Sequence, residues 1–329
     1  MTIVNRNEIM RLGKNYIGVI LAGGKGERTS GERRENISFP KSLYVLPDGH
    51  TPLERASRLL RAHGVPNNKQ IIAIGVDPKL WYVDRFEPHR ITASAIESFA
   101  SRVLRGVGFG YNLSKAGHIL SLAEFLIPDY ADYRGQRGKS ISGAEYGAAN
   151  MTYDLYLPLG KRVNGKNFVK VTENKFRKFF SVAKYLLVMH GDTLYERSAI
   201  SNHMLEACNH LGRGATAFVS ILKSPKAQPA RIYKTDDNDK LIDISEYKAD
   251  SFERPAIFSF MLKDLTDFTD RLEQYSKDVG GLSDILLDII KEDGTVIARR
   301  HPEICLDLNT LDDYVSAGLE ILNNQRLEI

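Results

Sequence analysis

Apolar residues along this 329-residue chain fall into short runs separated by polar and glycine-bearing stretches. Tyr16–Leu21 is apolar nearly throughout, the pattern of a strand buried on both faces of a parallel sheet. A loop rich in glycine and charge follows, from Ala22 to Phe39. Thr51-Pro52-Leu53-Glu54 then opens a helix, with Thr51 as N-cap, Pro52 at the first helical position and Glu54 completing a capping box. Leu53, Leu59 and Leu60 give this helix an apolar face, Gly64 ends it, and Pro66 enforces the stop. Gln70–Gly75 is the second strand. Strand, loop, helix and strand in this order form a βαβ unit, so the pattern predicts an α/β fold on a parallel sheet.

Further along, helical spacing marks Ile91–Leu104 and, more clearly, Ser114–Leu126. Lys184–Met189 reads as a strand, Arg197–Leu211 as a helix and Ala215–Ile221 as a strand. Ala230–Lys234 and Lys240–Glu246 flank the polar turn Asp236-Asp237-Asn238-Asp239 and predict a β-hairpin. Pro255–Leu262 and Thr295–Arg299 are predicted strands, Asp264–Tyr275 and Leu282–Lys291 helices. A last helix starts at Asn309 or Thr310 and runs to about Leu322. Between about 128 and 183 the pattern breaks into a glycine-rich stretch whose Arg134–Lys178 portion holds ten Lys/Arg against three Asp/Glu. It is either a solvated excursion over one end of the sheet or a substrate-binding insertion. The whole chain is expected to be a single domain carrying that insertion.

Composition narrows the class. Hydrophobic residues make up 43% and charged residues 26%, enough for a sizeable core. A net charge of +4 does not call for a nucleic-acid or membrane partner, and it suits a protein that handles phosphates. Cys208 and Cys305 form no zinc-ligand spacing and no disulfide framework. The first residues lack the apolar stretch of a signal peptide, and no run is long enough to span a bilayer, so the cytoplasm is the expected location.

The chemistry is concentrated in Leu21-Ala22-Gly23-Gly24-Lys25-Gly26-Glu27-Arg28, followed twelve residues later by Pro40-Lys41. Glycines directly after a buried strand let the backbone approach a ligand, and their N–H groups can form a nest for phosphate oxygens. Arg28 offers a planar, permanently charged fork, and Lys41 a compact charge for a reacting phosphoryl group. A Walker A loop requires G-x-x-x-x-G-K-S/T, which is missing. A dinucleotide fingerprint requires a third glycine where Thr29 stands. No G-x-S-x-G elbow supports a serine hydrolase. His190-Gly191-Asp192-Thr193 follows another predicted strand, so the Asp192 carboxylate sits where α/β sheets bind ligands and could hold Mg²⁺ beside phosphate oxygens. The competing role for Asp192 is a turn former or helix cap. His63, His203 and His210 lack metalloprotease spacing and read as packing residues, whereas His190 could touch substrate or only shape the strand end.

These segments resemble the signature of the sugar-phosphate nucleotidyltransferases and their relatives, the cytidylyltransferases for choline phosphate and inositol phosphate and molybdopterin guanylyltransferase. The resemblance implies a Rossmann-like α/β/α sandwich with a mostly parallel mixed sheet, of the nucleotide-diphospho-sugar transferase type. It implies that Leu21, Ala22, Gly23, Gly24, Lys25 and Gly26 hold a nucleoside triphosphate. Arg28 would contact the leaving pyrophosphate, Lys41 the reacting phosphates, and Asp192 the magnesium ion. Cys305–Tyr314 resembles the family's late D-x-D-T-x-x-D segment, which supplies a second metal ligand. Asn309 stands where that pattern has Asp, Asp307 is the competing ligand two residues earlier, and Asn309 could equally cap the last helix. Asn112, within Gly110–Leu126, falls where the family contacts the base and sometimes the acceptor. Glu246 and Lys248 fall where sugar members have Glu-Lys before the acceptor-binding strand.

The expected activity is transfer of a nucleoside monophosphate from a triphosphate to a small phosphorylated acceptor, such as a sugar 1-phosphate, with release of pyrophosphate. Choline phosphate or inositol phosphate is the alternative acceptor. A nucleotide-sugar-dependent glycosyltransferase and a non-catalytic nucleotide-binding regulator are the rival classes. Base preference and oligomeric state are not encoded in any motif.

Overall fold

Strand β1 (Tyr16–Ala22) is buried at every position, and the sheet is built outward from it. The computed structural model describes residues 6–22, 42, 46, 50–66, 69–74, 125–128, 183–261, 282–309, 313 and 317. Helix α1 (Arg6–Gly13) precedes β1. Then come α2 (Pro52–Ala62), β2 (Gln70–Ile74), β3 (Phe125–Pro128), β4 (Tyr185–His190), β5 (Thr193–Tyr195) and α3 (Arg197–Gly212). The long strands β6 (Ala217–Thr235) and β7 (Leu241–Met261), helix α4 (Leu282–Lys291) and β8 (Val296–Asp307) complete the described elements. The strand order is β3-β2-β1-β4-β7-β6-β8-β5. Strands β1 to β4 run together, as do β6 and β8, while β7 and β5 run against their neighbours. The result is the expected mostly parallel mixed sheet.

Alternation along the buried strands sends side chains into two cores, one on each face. On one face Tyr16 and Ile20 of β1 join Tyr185, Leu187 and Met189 of β4 beneath α2 and α3. On the other, Ile17, Val19 and Leu21 join Leu186 and Val188 beneath Ile285, Leu286 and Ile289 of α4. This is the α/β/α layering. Gly18 sets how closely α2 approaches, because a Cβ there would lie 2.7 Å from Leu60 Cδ1.

The local signals that shape α2 work as expected, with one change. Thr51 Oγ1 accepts from the Glu54 amide at 3.0 Å, and Pro52 opens the first turn. The Glu54 carboxylate does not complete the box. It turns outward to Arg58 at 2.7 Å and His50 Nδ1 at 2.9 Å, two partners that explain a carboxylate in so buried a place. At the other end Gly64 takes a left-handed φ of 87°, and Val65 N–H reaches the Leu60 carbonyl at 3.0 Å, closing a Schellman-type turn.

Three sequence expectations are corrected. Of the helix expected over Ser114–Leu126, residues 114–124 lie outside the described residues, and Phe125 and Leu126 belong instead to β3, paired in parallel with Ile71 and Ile72. A four-residue apolar run ending in proline suits a short buried strand as well as a helix terminus. The strands expected at Ala215–Ile221, Ala230–Lys234, Lys240–Glu246 and Pro255–Leu262 are pieces of β6 and β7, which stay paired through several register shifts. Polar residues between the pieces hide that continuity. The strand expected at Thr295–Arg299 likewise continues to Asp307. The hairpin turn itself is as expected, stapled by Asp236 Oδ1, which accepts from the Asn238 and Lys240 amides at 2.8 and 2.9 Å. The expected helices Ile91–Leu104 and Asp264–Tyr275 and the basic stretch at 129–182 lie outside the described residues. Among the described residues no helix is long and apolar enough to cross a membrane.

His203 of α3 is fully buried, and its two ring nitrogens lie 2.8 Å from Ser220 Oγ of β6 and 2.7 Å from Ser259 Oγ of β7. It is a core histidine that ties the helix to the sheet. Burial, aided by nearby His301, pushes its pKa well below the usual histidine range.

Two outcomes follow. Thr51→Ala should cost about 1 kcal/mol of stability, read from the urea midpoint. His203 is neutral when folded, yet in the unfolded chain it takes up a proton below about pH 6.5. The unfolded state then binds more protons, so stability should fall as pH drops through about 6.5. His203→Gln should flatten this decline, and identical pH slopes for the two proteins would sink the assignment.

Candidate functional site

The carboxyl ends of β1 and β4 lie side by side, with Leu21 paired to His190. The chain passes from β1 to β2 and β3 on one side and then returns to β4 on the other. That reversal is the topological switch point where open α/β sheets bind ligands. Four segments meet there. The Gly191 amide donates to the Leu21 carbonyl at 2.8 Å. Ser42, the residue that follows Lys41, is buried, and its Oγ donates to the Ala22 carbonyl at 3.1 Å. The Leu308 amide donates to the Asp192 carbonyl at 3.0 Å. Thr193 pairs with Asp307 in the β5–β8 ladder.

Only glycine fits at position 191. A Cβ there would lie 2.9 Å from Ile20 Cγ2 and 3.1 Å from the Ala22 Cβ. The turn can therefore press against the end of β1 and set the half-exposed Asp192 beside the point where the glycine-rich segment begins. Tyr195 braces the same end of β4: its hydroxyl accepts from the His190 amide at 3.0 Å and lies 3.3 Å from the His190 and Ala256 carbonyls.

Asp307 is embedded in a network of donors. Thr193 Oγ1 donates to Oδ1 at 2.6 Å, Asn309 Nδ2 donates to Oδ2 at 2.8 Å, and Arg254 Nη1 forms an ion pair with Oδ2. Arg254 Nη1 also donates to Gln228 Oε1 at 3.2 Å, and Gln228 Nε2 reaches back to the Asp307 carbonyl at 3.4 Å. Burial disfavours the Arg254 charge, but Asp307, Cys305 and Asp192 together hold its pKa above even the usual arginine value. Arg254 Nε is buried and has no acceptor among the described residues. Cys305 is pushed up to about 12 by burial and stays a thiol at neutral pH. Past β8, the Asn309 amide donates to Asp313 Oδ2 at 2.8 Å, and Asp313 is ion-paired with Lys226.

Of the residues predicted for the site, Leu21, Ala22, Asp192, Asp307 and Asn309 come together here. Gly23, Gly24, Lys25, Gly26, Arg28, Lys41 and Asn112 lie outside the described residues. Glu246 and Lys248 fall within β7, where Lys248 is exposed and paired with Ala230. Along β7, Lys248 is six residues from Arg254, on the order of 20 Å of extended chain. Sequence reasoning missed Ser42, Thr193, Gln228 and Arg254. The first two directly follow residues that were singled out. Gln228 and Arg254 carry no local signal, since their place beside Asp307 is set only by pairing among β6, β7 and β8.

No family model matches the chain. Solved structures do. A protein assigned as a glucose-1-phosphate thymidylyltransferase from Bacillus anthracis, in complex with a sucrose, is 14% identical, with a TM-score of 0.54 over 95% of this chain and 96% of that one. This chain has the nucleotidyltransferase fold. The CTP:phosphocholine cytidylyltransferase of Streptococcus pneumoniae is likewise similar at 14% identity and a TM-score of 0.51, covering 94% of this chain and 99% of its own. The inositol-1-phosphate CTP transferase of T. maritima is similar at 12% identity and a TM-score of 0.50, covering 94% and 97%.

The donor set of this nucleotidyltransferase fold can be tested against a divalent ion. Among the described residues no group of three or more His, Cys, Asp or Glu side chains is arranged to hold a metal. Magnesium commonly takes only one or two carboxylates, with substrate phosphates and water as its other ligands. Asp192 fits such a role by position, at the switch point and half-exposed. Asp307 fits less well, because its oxygens already take donors from Thr193, Asn309 and Arg254.

Gly191→Val should lower stability by about 1–3 kcal/mol through overpacking against Ile20 and Ala22. A variant as stable as the parent in urea would show that the two strand ends are less tightly joined.

Proposed function

We propose that this protein is an enzyme that transfers a nucleoside monophosphate from a nucleoside triphosphate to a small phosphate monoester, most simply a sugar 1-phosphate, and releases pyrophosphate. The observation that carries the reading is the meeting, at the switch point, of the end of β1, Ser42, Asp192 and the Asp307–Asn309 segment. The glycine-rich segment starts at that point, and Lys41 immediately precedes Ser42 in the chain. The solved nucleotidyltransferases of the same fold include proteins described as acting on glucose 1-phosphate, phosphocholine and inositol 1-phosphate. These acceptors share one chemical feature, a phosphate on a small polar body.

In this reading Gly23, Gly24 and Gly26 cradle the triphosphate through backbone amides. Arg28 neutralises charge growing on the departing pyrophosphate, and Lys41 draws together two anions that otherwise repel. A magnesium ion at Asp192 would supply further charge neutralisation when bound. The acceptor phosphate is ionised at neutral pH, so its oxygen attacks without a general base. The site is in keeping with this, because buried Cys305 and Tyr195 both have raised pKa values and keep their protons. Catalysis then rests on positioning and electrostatics.

The test is pyrophosphate release from four nucleoside triphosphates, each against sugar 1-phosphates, choline phosphate and inositol phosphate. At least one pair should turn over, and Asp192→Ala should lower that rate by about 100-fold. Choline or inositol phosphate as the accepted partner would identify a cytidylyltransferase-like specificity. Sugar transfer from a nucleotide sugar with no pyrophosphate formed would make the protein a glycosyltransferase, and tight nucleotide binding with no turnover would make it a sensor.

A further inference from the structure

The immediate surroundings of Asp307 contain a cation already. Arg254 of β7 is ion-paired with it, and the side chains of the pair are only 17% and 8% exposed. Gln228 of β6 joins both partners, accepting from Arg254 Nη1 and donating to the Asp307 carbonyl, so the three strands β6, β7 and β8 close a ring. Thr193 and Asn309 approach the carboxylate from β5 and from the segment beyond β8. An ionised carboxylate has about four lone-pair sites. At least three are taken here, one of them by a full positive charge.

A guanidinium cannot step aside by losing its proton. Nor can this one swing away freely, because it would take a donor from the Gln228 oxygen and leave the Asp307 charge without its counter-ion in a largely buried place. A divalent ion bound to Asp307 would also sit against that fixed positive charge. We infer that Arg254 is the resident cation of Asp307 and keeps this carboxylate from ligating a divalent metal, so that Arg254 supplies at Asp307 the positive charge that a metal ion would otherwise bring. The inference rests on the reading of Asp192 as a metal ligand only for its functional meaning. The pairing of Arg254 with Asp307 stands apart from it.

The experiment is titration with Mn²⁺ alone, without nucleotide, following free ion by electron paramagnetic resonance. Thermal melting of every variant checks that it is folded. Asp307→Asn should bind Mn²⁺ within about twofold of the parent. Arg254→Met exposes the carboxylate and should bind about tenfold more tightly, and the gain should vanish in Arg254→Met/Asp307→Asn. If Arg254→Met does not fold, Arg254→Gln, which keeps an amide donor toward Asp307, enters the same comparison. The inference is overturned if Asp307→Asn weakens binding as strongly as Asp192→Asn, or if a folded Arg254 variant shows no gain. Asp192→Asn with the parent's affinity would remove Asp192's metal role. It would leave the Arg254 comparison intact, so the two ideas fail separately.

Discussion

Where parallel strands end together, their backbone leaves the ladder and its polar groups must find new partners. That requirement shapes the whole functional end of this molecule. β1 and β4 run in register to Leu21 and His190. There the carbonyls of the buried residues Leu21 and Ala22 take partners from outside the β1–β4 ladder. The Gly191 amide satisfies one and the Ser42 hydroxyl the other. A third bond, from the Leu308 amide to the Asp192 carbonyl, binds the end of β8 to the same turn. Segments far apart in sequence are thus drawn together by unmet backbone hydrogen bonding. The acidic residues at the site are carried there by backbone that had to come in any case.

A second constraint is the charge beside Asp307. Burying an arginine and a carboxylate is costly for each alone, and loss of one partner from a buried pair typically costs about 3–5 kcal/mol. Here the pair is kept by hydrogen bonds from three neighbouring elements. Such a network specifies one geometry, since every member has its directions fixed by the others. The same arrangement sets the electrostatic field beside Asp192. The rigidity of the site and its electrostatic character have one origin.

Much of this architecture is written locally. The apolar run Tyr16–Leu21 and the Thr51–Gly64 signals each identify an element with its cap and stop, because the physics lies within a few residues. Leu282–Lys291 and Arg197–Leu211 are legible for the same reason. The continuity of β6 and β7 is not, because Lys223 to Gln228 interrupts the apolar alternation while the backbone stays in the sheet. Phe125 and Leu126 are not legible as strand from local pattern, because a short apolar run fits strand and helix alike. In the site, Asp192, Asp307 and Asn309 stood out through their motifs. Arg254 could not, since a lone arginine in a strand acquires its meaning only from the pairing that brings Asp307 against it. The side chains that complete a site from across a sheet are the ones that local pattern does not reach.

The Thr193–Asp307 hydrogen bond joins residues 114 positions apart. β8 is also the last described strand in the chain. Synthesis proceeds from the amino end, so the end of β1 and Thr193 emerge long before Asp307. A nascent chain cut short of Asp307 leaves Arg254 and Thr193 without the carboxylate they share. The junction of β4, β5 and β8 is therefore completed only after β8 has been made and has docked.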